Sequence, residues 1–302
     1  MKKKENITRR DFISKGAMAA AAPLILNYNY NSFAKFKNNS INVGIIGLGN
    51  RASHAHIPTI LKFPDVKIAA LCDISKERLE GAAGNRTHIY RDPSIGQKVK
   101  KYNPSLYQDY EALLKQKDLD CIFVATPPDR HKRMVCDALR VGFSVYVDKP
   151  MTLTVTDSQA IVKAAKKAKG VFIVGQQLRY NPLLRKKIEL IHKGEIGKVV
   201  LVSYKVFRGS DRLPSDDQPG KKWILSIEQG GDIILEQGVH WIDVFNWIMG
   251  THPIRAAGLG GQGILFNEEY DREIMDHYSL IYEYPGNRRV FFSHSWMSMP
   301  GV

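Results

Sequence analysis

Between Ile41 and Gly175 the chain alternates two patterns that together exclude most folds. Five nearly unbroken apolar runs occur: INVGIIG (41–47), VKIAALCD (66–73), LDCIFVAT (119–126), FSVYVD (143–148) and VFIVG (171–175). Stretches with helical apolar spacing separate them, at about 52–62, 75–83, 109–117, 129–141 and 155–168. A strand that is apolar on both faces must be buried on both, and helices between successive strands supply the cover. The alternation therefore predicts an α/β domain with a doubly wound parallel sheet. Residues 85–107, polar and bearing Pro and Tyr, break the rhythm and read as a surface excursion.

The period changes after Gln176. A helix is expected at 182–193 and a long strand at VVLVSYKVFRG (199–209). A polar loop with Asp211, Asp216, Asp217, Pro219 and Gly220 follows, and then an apolar helical segment, GGDIILEQGVHWID (230–243). Strand patterns at 254–264, 276–284 and 288–296 follow one another without helices, which predicts a mostly antiparallel sheet. At 302 residues the chain also exceeds what one core ordinarily holds. The expected division is a Rossmann-type domain over 35–176 and a second α/β domain over 177–302. Because the chain stops at SWMSMPGV, just after a strand, the second domain reads as incomplete.

Residues 1–34 stand apart. MKKKENITRRDFISKGAMAAAAPLIL has a basic start, paired Arg9 and Arg10 followed by Phe12, and an apolar run from Gly16 to Leu26 that is too short to span a bilayer. Small residues at Ser32-Phe33-Ala34 offer a weak cleavage signal. The segment reads as a twin-arginine-type export signal, implying the twin-arginine machinery as a partner and a periplasmic or exported destination. A basic leader on a cytoplasmic protein is the alternative. Six Lys/Arg and two acidic residues lie in this segment, so +10 of the net +14 belongs to the rest. That charge is scattered through KVKK (98–101), KAAKK (163–167) and RKK (185–187) and reads as solvated faces, with no nucleic-acid motif beside it. Cys72, Cys121 and Cys136 sit in apolar contexts without metal-ligand spacing and read as buried thiols.

Chemistry concentrates at strand ends. IIGLGNRA places Gly47, Gly49 and Ala52 after the first strand and at a helix start, with Asn50 and Arg51 in the same turn. The first glycine allows the turn, the second admits a pyrophosphate to the backbone, and the small third residue lets helix and strand pack. Asp73 ends the second strand, where a carboxylate takes ribose hydroxyls. It would repel a 2′-phosphate, favouring NAD over NADP, although Lys76 and Arg78 stand nearby. ATPPDRH (125–131) ends the third long strand: Thr126 and Pro127 would line the cofactor, while His131 is either a site residue or part of a helix start capped by Asp129. In VYVDKPM (145–151), Lys149 ends a buried strand before Pro150. It can donate to a substrate oxygen, or it is a snorkelling surface lysine. Glu236 and His240 are four apart, on one face if the segment is a single helix, in a row begun by Asp232 and continued by Asp243. Such a row can bind a metal, poise an imidazole for proton transfer, or form a polar seam in a core. Metal is disfavoured because no third ligand is at hand.

In order and spacing, GLGNRA, LCD, ATPPDRH, VDKP, LRYNP (178–182) and GGDIILEQGVHWIDVFNW together resemble the glucose–fructose oxidoreductase/inositol dehydrogenase (Gfo/Idh/MocA) family over about 41–300. The resemblance implies a Rossmann domain plus an α/β domain whose open sheet mediates oligomer contacts. It also implies nicotinamide-dependent oxidation or reduction of a sugar or polyol. Lys149 corresponds to the family's Glu-Lys-Pro lysine, with Asp148 in place of Glu. His240 corresponds to the histidine of its Asp-x-x-x-His pair, with Glu236 in place of Asp. The implied roles are His240 as general base, Lys149 holding the reacting oxygen and Glu236 tuning His240. Asp148 adjoins the cofactor. Arg179, Tyr180, Asn181, Tyr204, Lys205 and His277 are candidates for substrate hydroxyls. An NAD-using glycosidase with no net redox change, and a non-catalytic sugar- or cofactor-binding protein, remain as alternatives.

Overall fold

The computed structural model describes residues 40–85, 90–207, 219–262 and 273–296. The leader (1–34) and Asp211, Asp216 and Asp217 lie outside the described residues. By its own contacts the chain divides between Gly175 and Gln176 into two units, with Glu228–Gly230 grouped with the first.

The first unit is built on a six-stranded parallel sheet in the order β3-β2-β1-β4-β5-β6. Its strands are β1 (Ile41–Ile46), β2 (Val66–Cys72), β3 (Ser105–Tyr107), β4 (Cys121–Val124), β5 (Ser144–Val147) and β6 (Phe172–Val174). The apolar runs are continuous because both sheet faces are covered. On one face Ile46, Ile122, Val124, Val145 and Val147 pack against Val135, Ala138 and Leu139 of α5 (Pro128–Val141) and Ile161 of α6 (Val155–Lys167). On the other, Val43, Ile45, Ile68 and Leu71 meet α1 (Ile57–Ile60), α2 (Lys76–Ala82) and α3 (Ser94–Lys100). Ile45 is fully buried, so truncating it to Ala should cost ~2–5 kcal/mol. A short α4 (Tyr110–Leu113) is capped by Asp109, whose carboxylate accepts from the Glu111 N–H at 2.9 Å.

Residues 85–107 are not merely a surface excursion: they contribute α3 and the edge strand β3, which pairs in parallel with β2. Ile95 and Val99, four apart, bury one face of α3, and the buried Tyr90 hydroxyl donates to the Ala82 carbonyl at 2.6 Å. Only two apolar residues anchor this helix among Lys, Gln and Ser, so the segment reads as polar overall.

In the second unit, α7 (Pro182–His192) precedes β7 (Leu201–Phe207); after α8 (Ile227–Gly230), whose last three residues group with the first unit, come α9 (Ile233–Glu236) and α10 (Val239–Met249). Strands β8 (Arg255–Gly261), β9 (His277–Tyr284) and β10 (Arg288–Ser295) complete a sheet in the order β7-β10-β9-β8. Two of its pairings are antiparallel and one, β10 with β7, is parallel. The two-residue alternation of β7 has a structural meaning. Val202, Tyr204 and Val206 join Tyr282, Tyr284, Val290 and Phe292 in a core with Phe245 and Met249 of α10. Leu201, Ser203, Lys205 and Phe207 point the other way and are exposed. On that open face Phe291 stands between Ser203 and Ile281, and Leu259 is 82% exposed. No helix of the described residues is long and apolar enough to cross a membrane.

Candidate functional site

The C-terminal ends of the parallel strands form one rim, as backbone hydrogen bonds between successive neighbours show. Gly47 N–H donates to Cys72 O, Asp73 to Tyr107 O, Ala125 to Ile46 O and Asp148 to Val124 O, at 2.8, 3.2, 2.8 and 3.0 Å. Each donor is the first residue beyond its strand. The glycine turn, Asp73, the ATPP segment and the Asp148-Lys149 pair are thus brought to a single sheet edge. Strand order reverses there between β1 and β4, the place where open α/β sheets bind ligands.

Gly47 has φ +88°, and a Cβ on it would lie 2.7 Å from Ala125 O and 2.9 Å from Thr126 Cγ2. This position serves the fold. Gly49 is different: a Cβ there would meet nothing within 4 Å. Its bare backbone faces open space at the start of a helix that begins with a π-helical stretch, Ala52–His56, and continues as α1. Ser53 N–H closes the first turn onto Gly49 O at 3.0 Å. Ala52 is fully buried, as the close helix–strand packing requires, whereas Asn50 and Arg51 are exposed.

Asp73 is buried, and its carboxylate turns toward the glycine loop, accepting from Leu48 N–H at 2.8 Å and from Ser75 N–H at 2.9 Å. A carboxylate offers about four lone-pair positions, so about two remain for ribose hydroxyls. Arg78 approaches the same carboxylate at 3.9 Å. The glycine turn with open space before Gly49, and an acid fixed beside it, fit a dinucleotide.

Lys149 and Asp148 are both buried, so Lys149 is no snorkelling surface side chain. The Lys149–Pro150 peptide is cis. Asp148 Oδ2 pairs with His56 Nε2 at 2.9 Å. His131 is buried too, with Nε2 2.9 Å from Thr126 O and Nδ1 3.0 Å from Pro150 O. Burial pushes its imidazole below the ordinary range, while the two carbonyls and Asp148 act in the opposite sense. Thr126 and Pro127 are half-buried at the start of α5. His56 drew no attention in the sequence; a lone histidine at the end of a helical turn carries no signal until its partner across 92 residues is known.

In the second unit Glu236 and His240 are both buried, but the expected single helix is broken. Glu236 ends α9 and His240 is the second residue of α10, with Gln237 and Gly238 between the helices. Gly238 N–H reaches back to Ile233 O at 3.0 Å, and a Cβ on Gly238 would lie 2.4 Å from Ile234 O. The close turn therefore depends on glycine, and Glu236 and His240 belong to two successive helices instead of one. Asp232 and Asp243, the ends of the supposed row, have separate tasks. Asp232 accepts from Met275 N–H at 3.1 Å, and Asp243 takes a two-bond contact from Arg179 at 2.7 and 2.9 Å.

The substrate candidates are dispersed within this unit. Arg179 is committed to Asp243 and lies 5.2 Å from the centre of the Trp247 ring. Asn181 caps α7, accepting from Leu184 N–H at 2.9 Å. Tyr180 is exposed. Tyr204 packs on Trp241, ring centres 4.4 Å apart, on the helix-covered face, whereas Lys205 lies on the opposite, open face of β7. His277 Nδ1 is 2.7 Å from Oδ1 of the buried Asp276. The thiols of Cys72, Cys121 and Cys136 are all free, and only Cys72 is fully withdrawn.

Comparison with known proteins agrees with this geometry. Residues 41–176 match the Gfo/Idh/MocA oxidoreductase family, NAD-binding Rossmann fold, and residues 184–301 match the Gfo/Idh/MocA C-terminal domain. A glycosyl hydrolase family 109 protein of Saccharopolyspora erythraea is 32% identical over 162 residues, which cover 53% of this chain and 34% of that protein. The scyllo-inositol 2-dehydrogenase (NAD(+)) of Bacillus subtilis is 23% identical over 220 residues, 73% of this chain and 57% of that one. The chain thus spans about a third to somewhat over half of these relatives' lengths. Among solved structures, the WlbA dehydrogenase from Bordetella pertussis in complex with NADH and UDP-GlcNAcA matches with a TM-score of 0.73 at 20% identity, covering 88% of this chain and 69% of that one. That likeness is one of fold. Two matches to one family, in order along the chain, agree with the strand-end rim: the chain belongs to the Gfo/Idh/MocA oxidoreductase family, and its first unit is the family's NAD-binding Rossmann fold.

Proposed function

We propose that this chain belongs to an NAD-dependent oxidoreductase that moves hydride between the cofactor and a secondary alcohol of a sugar, glycoside or polyol. The observation that carries the reading is Lys149. Its side chain is buried, although lysines normally extend to solvent, and it stands on the rim with the glycine turn and Asp73.

Bound along that rim, NAD supplies the hydride acceptor. Gly49 leaves room for the pyrophosphate, and the spare lone pairs of Asp73 accept from the ribose. Asp73 disfavours a 2′-phosphate; Arg78 beside it keeps NADP as a second possibility. Lys149 donates to the substrate oxygen and stabilises the negative charge that develops there. His240 takes the hydroxyl proton onto its imidazole, and Glu236 tunes that ring. A positioned base of this kind contributes ~10²–10⁴-fold, the rest coming from alignment and electrostatics.

Purified protein should release NAD on denaturation, detected by mass spectrometry, and should change nicotinamide absorbance with some member of a polyol and glycoside panel. His240→Ala should abolish turnover and leave NAD bound; full activity in that variant would sink the assignment. A second reading, glycoside cleavage through transient oxidation with no net redox change, is favoured by the 32% identity to the family 109 glycosyl hydrolase. Cleavage without added NAD and without an absorbance change would select it. Bound NAD with no turnover of either panel would leave a binding protein.

Residues 1–34 would direct export by the twin-arginine route with the cofactor already held, so an Arg9→Lys/Arg10→Lys double variant should stay in the cytoplasm. A second copy of the chain would cover the open sheet face around Leu201, Phe207, Leu259 and Phe291. Phe291→Lys should then lower the mass measured by light scattering.

A further inference from the structure

The short segment Asp148-Lys149-Pro150 is held at both ends by a buried or nearly buried imidazole. At its start, His56 Nε2 meets Asp148 Oδ2 at 2.9 Å, with the two side chains 11% and 12% exposed. The His56 ring is itself wedged edge-on against Tyr146 and Phe123, centres 5.2 and 5.6 Å away, and those two rings stack on each other at 4.8 Å. At its end, His131 reaches Pro150 O at 3.0 Å through Nδ1 and Thr126 O at 2.9 Å through Nε2. The histidines come from different places. His56 closes the π-helical stretch that follows the glycine turn, and His131 lies in the first turn of α5, after the ATPP segment.

From this arrangement we infer that His56 and His131 are positioning residues for Lys149. They tie the segment that carries the lysine to the two loops that would hold the dinucleotide. The inference rests on the role proposed above for Lys149. Neither imidazole needs to touch substrate. His56 fixes the carboxylate of Asp148, the residue that precedes the lysine. His131 fixes the carbonyl that follows it and sets its distance from Thr126. Carbonyl oxygens only accept, so a neutral His131 ring donates to one of its partners and a protonated ring to both. Burial favours the neutral ring, while the charges of Asp148 and Asp129 beside it favour the protonated one. In both states at least one link to the segment or to Thr126 persists, and loss of the ring removes both.

The test needs no substrate. The holo-protein is treated with acetic anhydride, and acetylation of Lys149 is compared with that of the exposed Lys163 by peptide mass spectrometry. Cys72, buried in β2, is alkylated in parallel to report global opening. His56→Leu and His131→Leu should each raise relative acetylation of Lys149 at least about fivefold, the factor corresponding to one lost hydrogen bond of ~1 kcal/mol. Cys72 labelling and NAD affinity should stay within about twofold, because the effect is local opening. His56→Gln, which keeps an N–H for Asp148, should restore most of the protection. Unchanged Lys149 labelling in both leucine variants would overturn the inference, as would a rise that tracks Cys72. If a leucine variant does not fold, His56→Gln and His131→Asn decide, with expected increases smaller than fivefold but above wild type. Lys149→Ala separates the two levels. Turnover retained in that variant refutes the role given to Lys149, whereas the labelling result judges the histidines alone.

Discussion

Gly47 and Gly49 are two residues apart in one turn, yet the structure assigns them different failures. Gly47→Ala meets two penalties. Its φ of +88° is one that L-residues pay ~1–2 kcal/mol to adopt. Its new Cβ would also press on Ala125 O at 2.7 Å, backbone that cannot swing away, and overpacking of this kind costs ~1–3 kcal/mol. The sum, ~2–5 kcal/mol, lowers the melting temperature of a domain of this size on the order of 10 °C even without cofactor. Gly49→Ala meets neither penalty, since nothing lies within 4 Å of the added methyl and no positive φ is involved. Its apo stability should match wild type or rise by ~0.4–1 kcal/mol through the unfolded state. The methyl does, however, fill the space the pyrophosphate would take. If that costs the complex ~2.7 kcal/mol, the dissociation constant rises about 100-fold. Thermal melts with and without NAD separate the two effects. At NAD about 100 times the wild-type dissociation constant, wild type gains ~2.7 kcal/mol and Gly49→Ala only ~0.4. A Gly49→Ala protein stabilised by NAD as strongly as wild type would refute the placement of the phosphates. A Gly47→Ala protein as stable as wild type would refute the reading of the turn.

Gly238→Ala should disrupt the junction of α9 and α10, because its Cβ would sit 2.4 Å from Ile234 O; turnover is expected to fall at least about tenfold with NAD affinity unchanged, as measured by initial rates and cofactor titration. Arg179→Ala should cost about 1 kcal/mol by denaturant melt, since its pair with Asp243 is partly exposed and its stacking on Trp247 adds little. Asn181→Ala should lose its cap at a similar cost of ~1 kcal/mol. Neither change should alter the KM for the substrate identified in the panel; a large rise in KM at unchanged stability would return those residues to the substrate site. The Cys72 thiol is pushed up to about 12, chiefly by burial and then by the Asp73 charge. Near pH 9 its thiolate should be about one part in a thousand, so alkylation of the folded protein should spare it; prompt labelling there would contradict its burial.

The first unit was legible because its signals are local. An apolar run records burial on both faces, a G-x-G-x-x-A records a turn, and Asp73 and Lys149 record strand ends; each is complete within a few residues. The glycine turn, Asp73, Thr126 and Lys149 are all expected at strand ends, and the backbone bonds from Gly47, Asp73, Ala125 and Asp148 bring those ends to one edge of the sheet. What the sequence hides has the opposite character. Residues 85–107 hide a helix and an edge strand because a few buried side chains, Tyr90, Ile95 and Val99 among them, stand among polar neighbours. Likewise the sequence does not show that the side chains of Asn181 and Arg179 have partners in the N–H of Leu184 and the carboxylate of Asp243.

Glu236 and His240 show a subtler limit. Spacing of four residues implies one face only while the helix is continuous, and the sequence contained the warning in Gly238 between them. A glycine inside a helical pattern is ordinarily a small loss of propensity. Here it marks a close backbone approach, which propensity does not encode. The same reasoning applies to His56 and His131, whose partners are loop carbonyls and a carboxylate that only the parallel sheet brings near. Candidates for the chemistry are read from residue type and place in a motif. Residues that hold them in position follow from topology, and in this chain those are two imidazoles on either side of one lysine.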